Sequence, residues 1–266
     1  MKMLTRALPL AGVFALLLVA PSARALEEAK APEKHAWSWE GPTGHYDRAA
    51  LQRGFQVFKE VCASCHTLHY APFRMLSEPG GPGFNEEEVK AIAAGYEKDV
   101  IDDVGDVKQV PRTPADTFPD PFANEQAARA SNGGALPPDL SLMAKARKGG
   151  PDYMYSLLTG YSDSPAGLEM RAGMSYNPYF HSCQPSNPET CQIAMPFQLN
   201  ADRVTYTDGT AATPEQMASD VVTFLAWAAE PKLEQRKRLG LNVMAYLVVL
   251  AGLLYFSYRR VWRDQH

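Results

Sequence analysis

The chain has 266 residues, with 26 Lys and Arg against 30 Asp and Glu, for a formal net charge of −4. Residues 26–238 alone hold 20 basic and 29 acidic residues, near −9. That balance argues against a nucleic-acid partner, and suits either a basic protein partner or simple solubility.

Lys2 and Arg6 open the chain, residues 7–20 are almost wholly apolar, and Ala23-Arg24-Ala25 is a small-x-small cleavage site. This order predicts a secretory signal peptide over residues 1–25, cut before Leu26; the apolar run is too short to span a bilayer well. An uncleaved N-terminal anchor is the alternative. Residues 26–238 are then one exported domain.

Asp47 is placed to cap a helix whose Leu51, Phe55 and Phe58 share one apolar stripe. The stripe leads into Val61-Cys62-Ala63-Ser64-Cys65-His66, a C-x-x-C-H sequence. Two thiols at that spacing can each add to a haem vinyl group, and the adjacent imidazole then serves as the proximal iron ligand. The rivals are a redox dithiol or half of a zinc site. A dithiol does not require the following His, and no second Cys-x-x-Cys pair completes a zinc shell.

Downstream, residues 97–134 are rich in Pro, Asp and Gly with little periodicity, and are expected to form long loops. Glu97, Asp99, Asp102, Asp103 and Asp106 make an acidic run, readable as a docking surface or as a solvated loop. Among the later methionines, Met143 and Met154 fall in helical stretches, and Met217 sits on a later apolar stripe. Met195 stands in the irregular segment Ile193-Ala194-Met195-Pro196-Phe197, so it is a candidate sixth iron ligand, with His181 the bis-histidine rival. Cys183 and Cys191, eight apart around Pro185, Asn187 and Pro188, are expected to bridge in an oxidising compartment, which would stiffen the approach to Met195. Thr213-Pro214-Glu215-Gln216 reads as a capping box opening a helix with Met217, Val221, Phe224, Leu225 and Ala228 on one face. That helix should pack across the first and end before Pro231.

Residues 239–258 carry no charge and are long enough to cross about 30 Å of hydrocarbon. Lys232, Arg236, Lys237 and Arg238 precede them, Arg259, Arg260 and Arg263 follow, and Tyr255, Tyr258 and Trp262 suit an interfacial belt. With a signal peptide ahead, this predicts a transmembrane helix over 239–258 and a cytoplasmic tail over 259–266.

The run from Cys62 to Leu76 (CASCHTLHYAPFRML) resembles the haem segment of cytochrome c1, the haem c subunit of the cytochrome bc1 complex. So do residues 131–141 (SNGGALPPDLS), 144–150 (AKARKGG), Asp152-Tyr153, 156–161 (SLLTGY), 176–179 (YNPY), 224–231 (FLAWAAEP) and 236–240 (RKRLG), in that order. The resemblance implies a mainly α-helical, cytochrome c-like haem domain with long loop insertions and one C-terminal transmembrane helix. It implies one covalently bound haem c on Cys62 and Cys65, with His66 and Met195 as axial ligands. It further implies that Arg147 pairs with a haem propionate beside Tyr153, and that Asn132 and Pro138 line the haem pocket. The family usually has two or three prolines straight after the axial methionine, whereas Met195 is followed by a single Pro196 and then Phe197.

The function so implied is electron transfer within a respiratory or photosynthetic quinol–cytochrome c reductase. Electrons would pass from the Rieske iron–sulfur protein to a soluble cytochrome c, with cytochrome b in the same complex. The haem domain would lie in the periplasm, anchored in the inner membrane. No paired carboxylates or nucleophile–base arrangement stands out, so no organic substrate is expected to be transformed by this chain alone. A free-standing membrane-anchored shuttle is the alternative, and a haem-based gas sensor a third reading.

Overall fold

In the computed structural model, which describes residues 29–263, helix α1 (Arg48–Glu60) starts where the Asp47 carboxylate accepts from the amides of Ala49 and Ala50. Those amides are among the donors that a helix start leaves unpaired. A 3₁₀ turn over Cys62–Ser64 and another over Phe73–Ser77 follow. Helix α2 (Glu86–Ala94) opens with a full capping box, in which Asn85 and Glu88 each bond the other's backbone. Strands β1 (Glu97–Ile101) and β2 (Val107–Pro111) form an antiparallel hairpin. Next come α3 (Glu125–Ser131), α4 (Met143–Ala146) and α5 (Gly150–Thr159). Strands β3 (Ser175–Tyr176) and β4 (Gln192–Ile193) pair antiparallel. Helices α6 (Pro214–Ala229) and α7 (Leu233–Trp262) complete the chain.

The core lies where α1 crosses α6. At Gly54 a Cβ would sit 2.0 Å from the Asp220 carbonyl oxygen, so only glycine permits this approach. Leu51, Phe55 and Phe58, the predicted stripe, are buried. Phe224 of α6 lies 5.7 Å from Phe55 and 5.8 Å from Phe58 between ring centroids. Phe118 closes the cluster against Phe58 and Phe73. Arg53 fixes the crossing from the edge: its Nε and Nη2 donate to the two oxygens of buried Asp220, each at 2.9 Å.

The N-terminal strap, residues 30–46, is tied to α5. Trp37 Nε1 donates to Asp152 Oδ1 at 2.7 Å, Lys34 pairs with Asp152 Oδ2 at 3.1 Å, and the Glu33 amide donates to Ser156 Oγ.

The chain departs from the sequence reading in three places. Residues 97–134 are not all loop. The hairpin escaped notice because its strands are largely exposed on both sides, which erases the apolar alternation that marks a half-buried strand. Its turn is set instead by Asp102, whose carboxylate accepts from the amides of Val104 and Asp106. Helix α3 has only one buried residue, Ala128, and hence no stripe to read. At α6, Thr213 does accept from the Gln216 amide, but the Gln216 side chain turns to Asp220 instead of completing the box. Finally, the terminal helix begins at Leu233, ahead of the apolar run, so its first turns carry the basic residues. It is the one described helix long and apolar enough to cross a membrane. The predicted signal peptide lies outside the described residues.

Candidate functional site

The end of α1 delivers the cysteines. The Val61 amide continues the helix by donating to Val57, and the amides of Cys65 and His66 both turn back to the Cys62 carbonyl. This tight turn brings the two thiols and the imidazole onto one short arc. Cys62 and Cys65 are free thiols and do not form a disulfide with each other. Burial, and secondarily the neighbouring Cys65, push the Cys62 thiol up to about 12, so it stays protonated.

His66 is held from one side. Its Nδ1 lies 2.8 Å from the carbonyl oxygen of Pro138. A carbonyl can only accept, so Nδ1 carries the proton and the Nε2 lone pair is left available. Burial lowers the His66 pKa, against the opposing pull of the Pro138 carbonyl and Asp139, which keeps the ring neutral at pH 7. A neutral imidazole with a backbone-fixed Nδ1–H is the form that binds a metal through Nε2.

The Pro138 segment is itself clamped to the chain following the cysteines. The Leu140 amide donates to Thr67, the His69 amide to Asp139 Oδ2, and the Tyr70 amide to Ser141 Oγ. Asp139 Oδ1 also accepts from the Ser141 amide at 2.6 Å. Next to His66, the Thr67 hydroxyl is buried without a partner among the described residues.

A second group gathers around α5, with Arg147 and Tyr153 near its start and Tyr161 just past its end. The Tyr153 hydroxyl accepts from the His181 amide and from the Arg147 guanidinium, while burial holds its proton on. His181 is pushed towards the neutral form, first by burial and then by Arg147. Arg147 terminates α4, and its Nη1 also reaches the Ala146 carbonyl. The Tyr161 hydroxyl donates to the Met195 carbonyl at 2.9 Å. Met195 follows β4, and β4 begins straight after Cys191, which is disulfide-bonded to Cys183 as expected. Asn132 closes α3 and spends its amide on the Ala128 carbonyl of that helix.

These residues fit a haem c. Two unpaired thiols and a neutral imidazole share one turn, an aliphatic thioether lies on a separate loop, and a guanidinium beside a phenol offers a carboxylate partner. Sequence reasoning missed two contacts here, the Pro138 carbonyl on His66 and the Tyr161 hydroxyl on Met195. Each joins a side chain to a backbone carbonyl, which no residue pattern records.

The profile of the Cytochrome C1 family matches residues 37–265. A cytochrome b/c1 of Bradyrhizobium diazoefficiens is 47% identical over 264 residues, covering 92% of this chain and 37% of that longer protein. A cytochrome c1 of Rhodospirillum rubrum is 47% identical over 274 residues, covering 97% of both chains. A mitochondrial heme protein of Arabidopsis thaliana, cytochrome c1 1, is 47% identical over 253 residues, covering 94% of this chain and 78% of that one. The chain belongs to the cytochrome c1 family.

Proposed function

We propose that this chain is the haem-bearing electron-transfer subunit of a cytochrome bc1 complex. It would take electrons from the Rieske iron–sulfur protein and pass them to a soluble cytochrome c. The observation that carries the reading is the Nδ1-protonated, neutral His66 one residue from a pair of free thiols. Cys62 and Cys65 would hold one haem c by thioether bonds, with His66 Nε2 and the Met195 sulfur as axial ligands. When bound, the haem supplies the one-electron iron couple. The protein's residues set its surroundings. Pro138 fixes the plane of the His66 ring, and a Met195 thioether on the iron would favour the ferrous state and raise the potential. Arg147 and Tyr153 would hold a propionate, a task suited to a guanidinium that stays charged. Family membership and the names of the relatives support the haem and the complex.

The same reading assigns residues 1–25 to a signal peptide, residues 26–238 to the periplasmic haem domain and residues 259–266 to a cytoplasmic tail. The α7 helix would be the single membrane span between them, with cytochrome b as its neighbour in the complex.

The test uses the full-length protein extracted from its native membrane in mild detergent. Quinol should reduce its haem c, an inhibitor of quinol oxidation should stop that reduction, and b-type haem and an iron–sulfur protein should copurify. A haem c protein that purifies alone and ignores quinol would instead favour a free-standing shuttle.

A further inference from the structure

We propose that Tyr161 is a positioning residue for Met195: its hydroxyl holds the Met195 backbone while its ring braces Phe197. The inference rests on the reading of Met195 as an axial ligand. The hydroxyl donates to the Met195 carbonyl at 2.9 Å, and the Tyr161 ring stands 5.5 Å from the Phe197 ring at an interplanar angle of 56°. One side chain therefore grips the residues on both sides of Pro196. That grip matters because Met195, Pro196 and Phe197 lie in no helix or strand, and none of them is fully buried. Pro196 fixes its own φ and little else.

Tyr161 can do this because it is itself anchored. Helix α5 ends at Thr159, and Gly160 passes where a Cβ would lie 2.2 Å from the Tyr179 ring and 2.5 Å from the Ser156 carbonyl. Only glycine fits, so the chain turns tightly and sets Tyr161 beside β3. The Ser162 amide donates to Tyr176, Tyr176 pairs with Gln192, and the Asn177 amide donates to the Cys191 carbonyl. Buried Asn177 also donates from Nδ2 to the Leu157 carbonyl of α5. The segment bearing Tyr161 and the strand leading to Met195 are thus parts of one frame.

A thioether is a weak neutral ligand, so how firmly it occupies iron depends on how well its backbone is preorganised. Removing the hydroxyl alters neither the sulfur nor the iron. In ferric full-length protein, Tyr161→Phe should therefore let added imidazole displace the thioether about two- to tenfold more readily, the worth of one hydrogen bond. The sulfur-to-iron charge-transfer band reports the displacement.

Three comparisons complete the test. Met195→Leu must abolish the band; if the band survives, the axial assignment itself falls. If Met195→Leu abolishes it but Tyr161→Phe binds imidazole with wild-type affinity, the positioning role is wrong. Asp116→Asn, which loosens the fold elsewhere, should leave imidazole affinity unchanged; an equal rise there would make the effect global and overturn the proposal. Should Tyr161→Phe fail to accumulate, Phe197→Leu reads the other half of the grip, with the same rise expected and wild-type affinity again counting against it.

Discussion

Arg48 and Glu234 meet where α7 joins the rest of the fold: one guanidinium nitrogen lies 2.9 and 2.7 Å from the two carboxylate oxygens. Glu234 also accepts from the Tyr46 amide at 2.9 Å, and Arg48 reaches on to the Gly80 carbonyl. One turn further along α7, Lys237 donates to the carbonyls of Trp39 and Gly44. The first turns of α7 are therefore tied to the body of the fold.

Glu234→Ala should loosen that joint. It strips the acceptor from the Tyr46 amide and leaves Arg48 with the Gly80 carbonyl alone, at a cost of about 1–3 kcal/mol. Glu234→Gln, which keeps one carbonyl oxygen, should recover part of the loss. Limited proteolysis of the detergent-extracted protein reads the joint directly, since cleavage between residues 230 and 240 should accelerate. An unchanged cleavage rate in the alanine variant would refute the clamp.

Asp220 is the deeper ionic residue. Its side chain is only 1% exposed, and Arg53 forks onto it from the neighbouring helix. Asp220→Ala would leave a guanidinium facing a buried gap, with only Asp208 and the ring of Tyr206 still beside it. Breaking one partner of such a pair costs about 3–5 kcal/mol. Thermal unfolding should fall by roughly 6–20 °C, taking 2–4 °C per kcal/mol for a chain of this size. A fall below 2 °C would mean that water has replaced the carboxylate at little cost.

The parts legible in the sequence were those whose burial repeats at a helical period. Leu51, Phe55 and Phe58 in α1, and Met217, Val221 and Phe224 in α6, announce both their helices and the faces that pack. Cys62, Cys65 and His66 were legible for a different reason, because their chemistry requires contiguous residues. The hairpin was not, since Glu97–Ile101 and Val107–Pro111 have no apolar face. Nor was the start of α7, where Glu234 and Lys237 look like solvated flank until they are seen to bond Tyr46 and Trp39. Arg147 was legible only through the resemblance, because its partner, Tyr153, is set by the turn between α4 and α5 and by no periodicity.

The loop after the hairpin carries a pH dependence. The Lys98 ammonium, 2.5 Å away, and then the amide and hydroxyl of Thr113 hold the Asp116 carboxyl at about 2, below its ordinary 3.8. A carboxyl with a depressed folded pKa stabilises the fold fully above its unfolded value and loses that contribution as pH falls through the folded one. The contribution of Asp116 is therefore complete above about pH 4 and disappears towards pH 2. Plotted against pH, the difference in thermal midpoint between wild type and Asp116→Asn should be constant above pH 4 and shrink below it. A difference that stays flat down to pH 2 would assign the effect to other carboxylates.

Asp139 controls the partner of His66 without touching it. Its two oxygens take the amides of His69 and Ser141, which pins the Pro138 carbonyl against the imidazole. Asp139→Ala leaves both amides without that acceptor and frees the carbonyl to drift from Nδ1. The stability cost should be about 1–3 kcal/mol, or roughly 2–12 °C in thermal midpoint. The ring should suffer as well. Without a fixed acceptor, Nδ1–H loses the bond that sets the plane of the imidazole and raises its basicity as a ligand. The reduction potential of the haem protein should then rise, because a less basic imidazole stabilises ferric iron less well. Asp139→Asn retains an acceptor for one amide and should fall between wild type and alanine in both midpoint and potential. If the alanine variant lost stability while its potential stayed at the wild-type value, the Pro138 carbonyl would be holding the loop and not tuning the ligand.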